Sequence, residues 1–144
     1  MNSGLVRWWG RVRAVAAGHA QAAERHVKIS LIPETGTIAA NGSLSIGIRQ
    51  AILPGWHTYW INPGDSGQPM HVTWHLPPGF TMGDMVWPAP GTITTGPLTS
   101  YGYEGGATIL QTLKAPATMP TGPVTIGADT ETLVCKDICI PEYD

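Results

Sequence analysis

Hydrophobic and polar residues alternate along most of the chain after residue 26, a pattern typical of strands with one buried face. The runs are short and are separated by turn residues. They predict strands at residues 27–31, 44–48, 57–61, 72–76, 107–113, 124–128 and 130–135, with a short strand at 86–87 and irregular chain over 88–97. Asn41-Gly42 between the first two runs predicts a hairpin turn.

This succession of short strands and turns favours an all-β fold, an immunoglobulin-like antiparallel β-sandwich. The 18 Gly and 13 Pro among 144 residues leave little room for long helices, which supports the same class. A small closed β-barrel has the same periodicity and remains the alternative architecture.

The first 25 residues differ from the rest of the chain. Three arginines precede a short apolar stretch, and Ala20 and Ala22 fit the small-residue pattern of a signal-peptidase site. We therefore expect residues 1–25 to be a degenerate or misassigned export signal, with a basic tail or a short amphipathic helix as the alternatives. Residues 26–144 are expected to form one domain, and the short stretch after Cys139 is consistent with truncation at its C-terminus.

Charge and hydropathy exclude two classes of partner. The formal net charge is -2, whereas binding to nucleic acid needs a clustered excess of Lys and Arg. No run of 18 apolar residues occurs, so we expect no direct membrane span.

The two cysteines, Cys135 and Cys139, are close in the sequence. In an extended strand their Cα atoms would lie about 13 Å apart, whereas a disulfide needs less than about 7 Å. A bond between them therefore requires a turn at residues 136–138. A loop this small would stabilise the fold by only about 2 kcal/mol, against about 4.7 kcal/mol for a 100-residue loop. The spacing favours a redox-active pair but leaves a structural disulfide and a metal-binding thiolate pair open.

Histidine and methionine residues around the predicted middle strands raise the possibility of copper binding. His71 and His75 would share a face of one strand about 13 Å apart, too far to bind a single ion. The other candidates are His57, Met70, Met82 and Met85. Surface histidines on a half-exposed sheet are the commoner explanation, so we predict no metal site.

The Gly-Asp-Ser-Gly segment at residues 64–67 looks like the nucleophile segment of trypsin-like proteases. A catalytic triad needs a scaffold that places His and Asp beside the Ser, and this chain is too short for that scaffold. We interpret the segment as a glycine-rich turn.

Five motifs occur in an order that resembles the N-terminal periplasmic domain of the DsbD/ScsB family of thiol:disulfide interchange proteins, closer to the ScsB branch. They are Gly-Trp-His-Thr-Tyr-Trp at 55–60, Asn-Pro-Gly-Asp-Ser-Gly at 62–67, Trp-Pro-Ala-Pro at 87–90, Tyr-Gly-Tyr at 101–103 and Cys-x-x-x-Cys-Ile-Pro-Glu at 135–142. The last motif is the most specific.

The resemblance implies a periplasmic protein-disulfide reductase domain that works without a cofactor through Cys135 and Cys139. A membrane electron-transfer domain, absent from this chain, would supply electrons, and periplasmic oxidoreductases of thioredoxin fold would receive them. An aromatic cap loop over the pair would correspond to Tyr101, Gly102 and Tyr103. The better-known branch has a longer spacing between its cysteines, so its loop details do not transfer.

The cysteines are expected to have different roles. Cys135 follows an apolar strand and should be the more buried, whereas Cys139 precedes Ile140-Pro141 and should lie at the outer end of the turn. We predict that Cys139 forms the bond with the partner and that Cys135 resolves it, as the resemblance also implies. The alternatives are an immunoglobulin-like binding module with a structural disulfide and a periplasmic copper-binding domain.

Overall fold

The computed structural model describes residues 3–8 and 24–144, and this part of the chain contains strands and no α-helix. The strands are β1 (Ser3–Trp8), β2 (Val27–Pro33), β3 (Thr37–Ala39), β4 (Ser43–Ile52), β5 (His57–Gly64), β6 (His71–His75), β7 (Thr81–Met82), β8 (Gly91–Thr95), β9 (Leu98–Glu104), β10 (Gly106–Lys114), β11 (Val124–Cys135) and β12 (Cys139–Tyr143). Across these residues there is no helix with the length and apolarity needed to cross a lipid bilayer.

The strands form two sheets that pack as a sandwich, which confirms the predicted fold class. The larger sheet has the order β3-β1-β11-β5-β9-β8, and β6 and β12 also pair with β11. The smaller sheet has the order β2-β4-β10-β7. The long strand β11 thus organises the larger sheet, since it pairs with β1, β5, β6 and β12.

The core lies between the two sheets and is built from alternate residues of their strands. Ile46, Ile48 and Ile109 of the smaller sheet are fully buried, and so is Ile126 of β11. One polar contact also bridges the sheets, because Thr58 Oγ1 donates a 2.6 Å hydrogen bond to Gln50 Oε1. Thr58 therefore faces inward, and the residues on either side of it in β5 face the outer side of the larger sheet.

Several sequence-based boundaries differ from the structure. The Asn41-Gly42 turn joins β3 to β4 and not β2 to β4. β2 and β4 still pair with each other, although β3 lies between them in the sequence. The segment predicted as irregular over 88–97 contains β8, which pairs with β9. The two runs at 124–128 and 130–135 form the single strand β11, because β6 and β12 together pair along most of its length.

The N-terminal segment contributes one described strand. β1 pairs in parallel with β11 and antiparallel with β3, and Val6 joins the core. The remainder of the predicted export signal falls largely on residues 9–23, which lie outside the described residues. The export signal therefore stays a prediction.

Candidate functional site

Cys135 and Cys139 form a disulfide across the hairpin that joins β11 to β12. The two residues are register partners, and their Cα atoms are 4.1 Å apart. Residues 136–138 make the turn, closed by a 3.0 Å hydrogen bond from the Lys136 amide to the Ile138 carbonyl. The turn required by the short spacing is thus present, and it places the bond at the end of the larger sheet.

The two cysteines differ in exposure. Cys135 is 2% exposed, whereas Cys139 and all three turn residues are exposed. Ile138, directly before Cys139, keeps 64% of its surface in contact with solvent. A protein partner can therefore approach the sulfur of Cys139 more readily than that of Cys135, which agrees with the predicted difference in burial.

His57 is the register partner of Cys135 on the other side of β11. Paired residues of antiparallel strands present their side chains on the same face, so His57 and Cys135 lie side by side on the outer face of the larger sheet. His57 is itself paired with Glu104 of β9. Burial lowers the pKa of His57, and the negative charge of Glu104 opposes this shift only in part. The imidazole beside Cys135 is therefore neutral at neutral pH.

The Gly-Asp-Ser-Gly segment folds over the outer face beside His57. The Tyr59 hydroxyl lies 3.1 Å from His57 Nε2. Tyr59 also forms a hydrogen bond with the Ser66 side chain. Ser66 Oγ is 2.9 Å from Ser100 Oγ. Gly67 packs directly on the Tyr59 ring, where a Cβ atom would lie 2.2 Å from a ring carbon. The segment that resembles a protease nucleophile is thus a glycine-rich turn that packs on Tyr59.

Glu142, in β12, fixes this strand to the beginning of β2. Its carboxylate accepts hydrogen bonds from the backbone amides of His26 and Val27, at 2.9 and 3.1 Å. Its Oε1 atom also lies 2.7 Å from His26 Nδ1. Burial alone would raise the pKa of Glu142, but these contacts outweigh it and lower the pKa. His26 in turn stacks on Trp56, with the ring centroids 3.9 Å apart.

The predicted cap segment is not a loop, because Tyr101, Gly102 and Tyr103 all belong to β9. Pairing with β5 and β8 holds these residues in extended conformation. Tyr103 is buried, and its hydroxyl donates a 2.8 Å bond to the Pro88 carbonyl. Burial raises the pKa of Tyr103 to about 12. Tyr101 is 38% exposed, and its ring approaches Gly64.

The residues considered for copper binding are dispersed. His71 and His75 are exposed on β6, and His75 Nε2 lies 2.6 Å from Asp129 Oδ2. Met70 is buried in the core, where Met82 and Met85 also pack. Within residues 3–8 and 24–144, no three His, Cys, Asp or Glu side chains are grouped as metal ligands.

Sequence reasoning missed the positions of His57 beside Cys135 and of Glu142 against the beginning of β2. Both residues lie within the motifs that carry the resemblance, which was the available signal. Their positions depend on pairing between strands that are far apart in sequence, and alternation of residues cannot specify that pairing.

Residues 29–144 match the family described as thiol:disulfide interchange protein DsbD, N-terminal. The chain therefore belongs to this family. As a member of the DsbD N-terminal family, it is a thiol:disulfide interchange domain with one cysteine pair.

A solved structure is similar in fold, the N-terminal periplasmic domain of ScsB from Proteus mirabilis, with a TM-score of 0.65 and 20% sequence identity. The similarity covers 87% of this chain and 47% of that structure's chain, so the present chain spans about half of its neighbour's length. None of the curated proteins compared with the chain matches it.

Proposed function

We propose that this domain relays reducing equivalents in the periplasm, as part of a protein-disulfide reductase, to oxidoreductases of thioredoxin fold. The electrons would come from a membrane electron-transfer domain outside this chain. Membership of the DsbD N-terminal family supports the proposal, as does the periplasmic origin of the ScsB domain with the similar fold. The observation that most directly supports this function is the unequal exposure of the two bonded cysteines.

The exchange proceeds in two steps. In the reduced domain, the Cys139 thiolate attacks the partner's disulfide, so that a mixed disulfide forms and one partner sulfur leaves as a thiolate. Cys135 then attacks the Cys139 sulfur, which closes the intramolecular disulfide and releases the second partner thiolate. The partner gains two electrons, the cysteine pair loses two, and no cofactor is needed.

Trapping with single-cysteine variants tests these roles. A reduced Cys135→Ala domain mixed with an oxidised thioredoxin-fold oxidoreductase should accumulate the mixed disulfide, because nothing resolves it. Cys139→Ala should accumulate little, since its remaining thiol is buried. The variant lacking both cysteines gives the background on a non-reducing gel.

The pattern of complexes distinguishes the alternatives. Accumulation with Cys139→Ala instead of Cys135→Ala would reverse the assignment of roles. A lack of complex with either variant would contradict the proposal and favour an immunoglobulin-like binding module with a structural disulfide.

A further inference from the structure

Hydrogen-bonding side chains lie around one nitrogen of the His57 ring on the outer face of the larger sheet. The Tyr59 hydroxyl is 3.1 Å from His57 Nε2. Beyond Tyr59, Ser66 Oγ is 2.9 Å from Ser100 Oγ, and Ser100 Oγ also contacts the Ser66 carbonyl oxygen at 3.2 Å.

The two nitrogens of a neutral imidazole differ, because one carries the proton and the other keeps a lone pair. When Nε2 donates to the Tyr59 hydroxyl, the lone pair is on Nδ1. Among the described residues, Nδ1 has no hydrogen-bond partner. In this tautomer His57 has a basic nitrogen available on the face that it shares with Cys135.

The resolving step described above needs such a base. Cys135 is buried, and burial in apolar surroundings disfavours the thiolate that must attack the mixed disulfide. We propose that Nδ1 of His57 accepts the Cys135 thiol proton while Cys135 attacks the Cys139 sulfur, an inference that rests on the proposed exchange function.

Atoms and electrons balance in this step. The Cys135 S–H bond breaks, and its proton passes to Nδ1. The Cys135–Cys139 bond forms as the bond from Cys139 to the partner breaks, and its electron pair leaves on the partner sulfur. The imidazolium then gives the proton to that thiolate or to water, and the reverse transfer accompanies reduction of the pair.

The charge around His57 is compatible with this role. The lowered pKa of His57 keeps the ring unprotonated at neutral pH, and Glu104 favours the imidazolium formed during transfer. The titratable groups on the strands that flank His57 are Tyr59 on β5, Glu104 on β9 and the cysteine pair. The charged groups on the segments that adjoin β5 are Lys136, which lies beside Gly55, and Asp65, whose carboxylate accepts the Thr99 amide.

The step can be timed in the isolated domain without a protein partner. One equivalent of an aromatic bis(nitrobenzoate) disulfide is mixed with the reduced domain, and release of the coloured thiolate is followed by stopped flow. The first phase reports attack by Cys139, and the second reports resolution by Cys135. We expect His57→Gln to slow the second phase about 100-fold and to leave the first nearly unchanged. His71→Gln, which changes an exposed histidine of the same sheet, is the matched control.

The pH dependence separates proton transfer from a merely structural role. The second phase of the wild-type domain should slow as acidification protonates His57, and this acid limb should be absent in His57→Gln. Equal second phases in the two proteins would overturn the proposal. Failure to trap a thioredoxin-fold partner would leave this measurement intact, so the two failures are distinguishable.

A second measurement needs no variant and therefore does not depend on the folding of His57→Gln. Nitrogen NMR of the wild-type ring should show a protonated Nε2 and an unprotonated Nδ1. The opposite tautomer would overturn the proposal.

Discussion

Glu142 and His26 join β12 to the beginning of β2: the Glu142 carboxylate accepts a 2.9 Å hydrogen bond from the His26 amide and lies 2.7 Å from His26 Nδ1. Glu142 follows Cys139 by only three positions in β12. These hydrogen bonds therefore anchor the strand that carries the exposed cysteine. The same contacts join β12 of the larger sheet to β2, which is the edge strand of the smaller sheet.

Replacement of this carboxylate should weaken the fold. Glu142→Gln is expected to lower the free energy of unfolding by about 2 kcal/mol, because hydrogen bonds from two amides and an imidazole lose their charged acceptor. Chemical denaturation of the disulfide-bonded protein measures the change. Glu24→Gln, at an exposed glutamate, is the control and should differ little from wild type. Equal losses in both variants would contradict an anchoring role.

The same contact predicts how the difference depends on pH. The folded pKa of Glu142 is lowered from its ordinary value of 4.5, so its ionised form stabilises the fold above that value. This contribution is lost as the pH falls through the lowered pKa. The stability difference between wild type and Glu142→Gln should therefore shrink on acidification, and a difference that grows in acid would contradict the assignment.

Gly67 should be required for the packing of Tyr59. A Cβ at Gly67 would lie 2.2 Å from the Tyr59 ring, so Gly67→Ala must displace the ring or the segment that carries Ser66. We expect a loss of about 2 kcal/mol beyond the cost of backbone strain. Gly122→Ala supplies the matched control, because Gly122 has a similar positive φ of 85° against 96° but no atom within 4 Å of the added Cβ. Similar melting curves for the two variants would count against close packing at Gly67.

The cap prediction now concerns Tyr101, since Tyr103 is buried and bonded to Pro88. Tyr101 shares its face of β9 with Tyr103, whereas Glu104, the partner of His57, is on the face that carries Cys135. We therefore expect Tyr101→Ala to leave unchanged the rate at which a small alkylating reagent modifies the reduced domain. Leu98→Ala, which removes another exposed side chain of the same strand, is the control. A faster reaction of Tyr101→Ala alone would show that this ring shields the pair.

The elements that alternation predicts well are those whose side chains meet the core. β2, β4, β5, β6 and β10 were predicted because one face of each is apolar, and the turn at 136–138 followed from the geometry of a disulfide. β8 was missed because its residues are mostly exposed threonines, and its extended conformation depends on pairing with β9. Alternation carries no information about such a partner.

The environment of the cysteine pair was less predictable for the same reason. His57 lies beside Cys135 only because β5 pairs with the end of β11, and the two residues are far apart in sequence. Pro141 is tolerated in β12 because, among the described strands, this strand pairs with β11 alone and so has an unpaired edge. The cysteine pair could be read from the motif, whereas its neighbour His57 required the fold.

The reduction potential of the Cys135–Cys139 couple distinguishes a relay from a structural bond. Closing so small a loop favours the oxidised form by only about 2 kcal/mol, which corresponds to about 40 mV for a two-electron couple. With Cys139 exposed, we expect a potential above about -300 mV, within the range of about -120 to -270 mV covered by thioredoxin-fold oxidoreductases. Equilibration in glutathione or dithiothreitol buffers, followed by alkylation and mass measurement, gives the value. A potential below about -300 mV would mean that periplasmic thiols could not readily reduce the disulfide, and it would favour a purely structural bond.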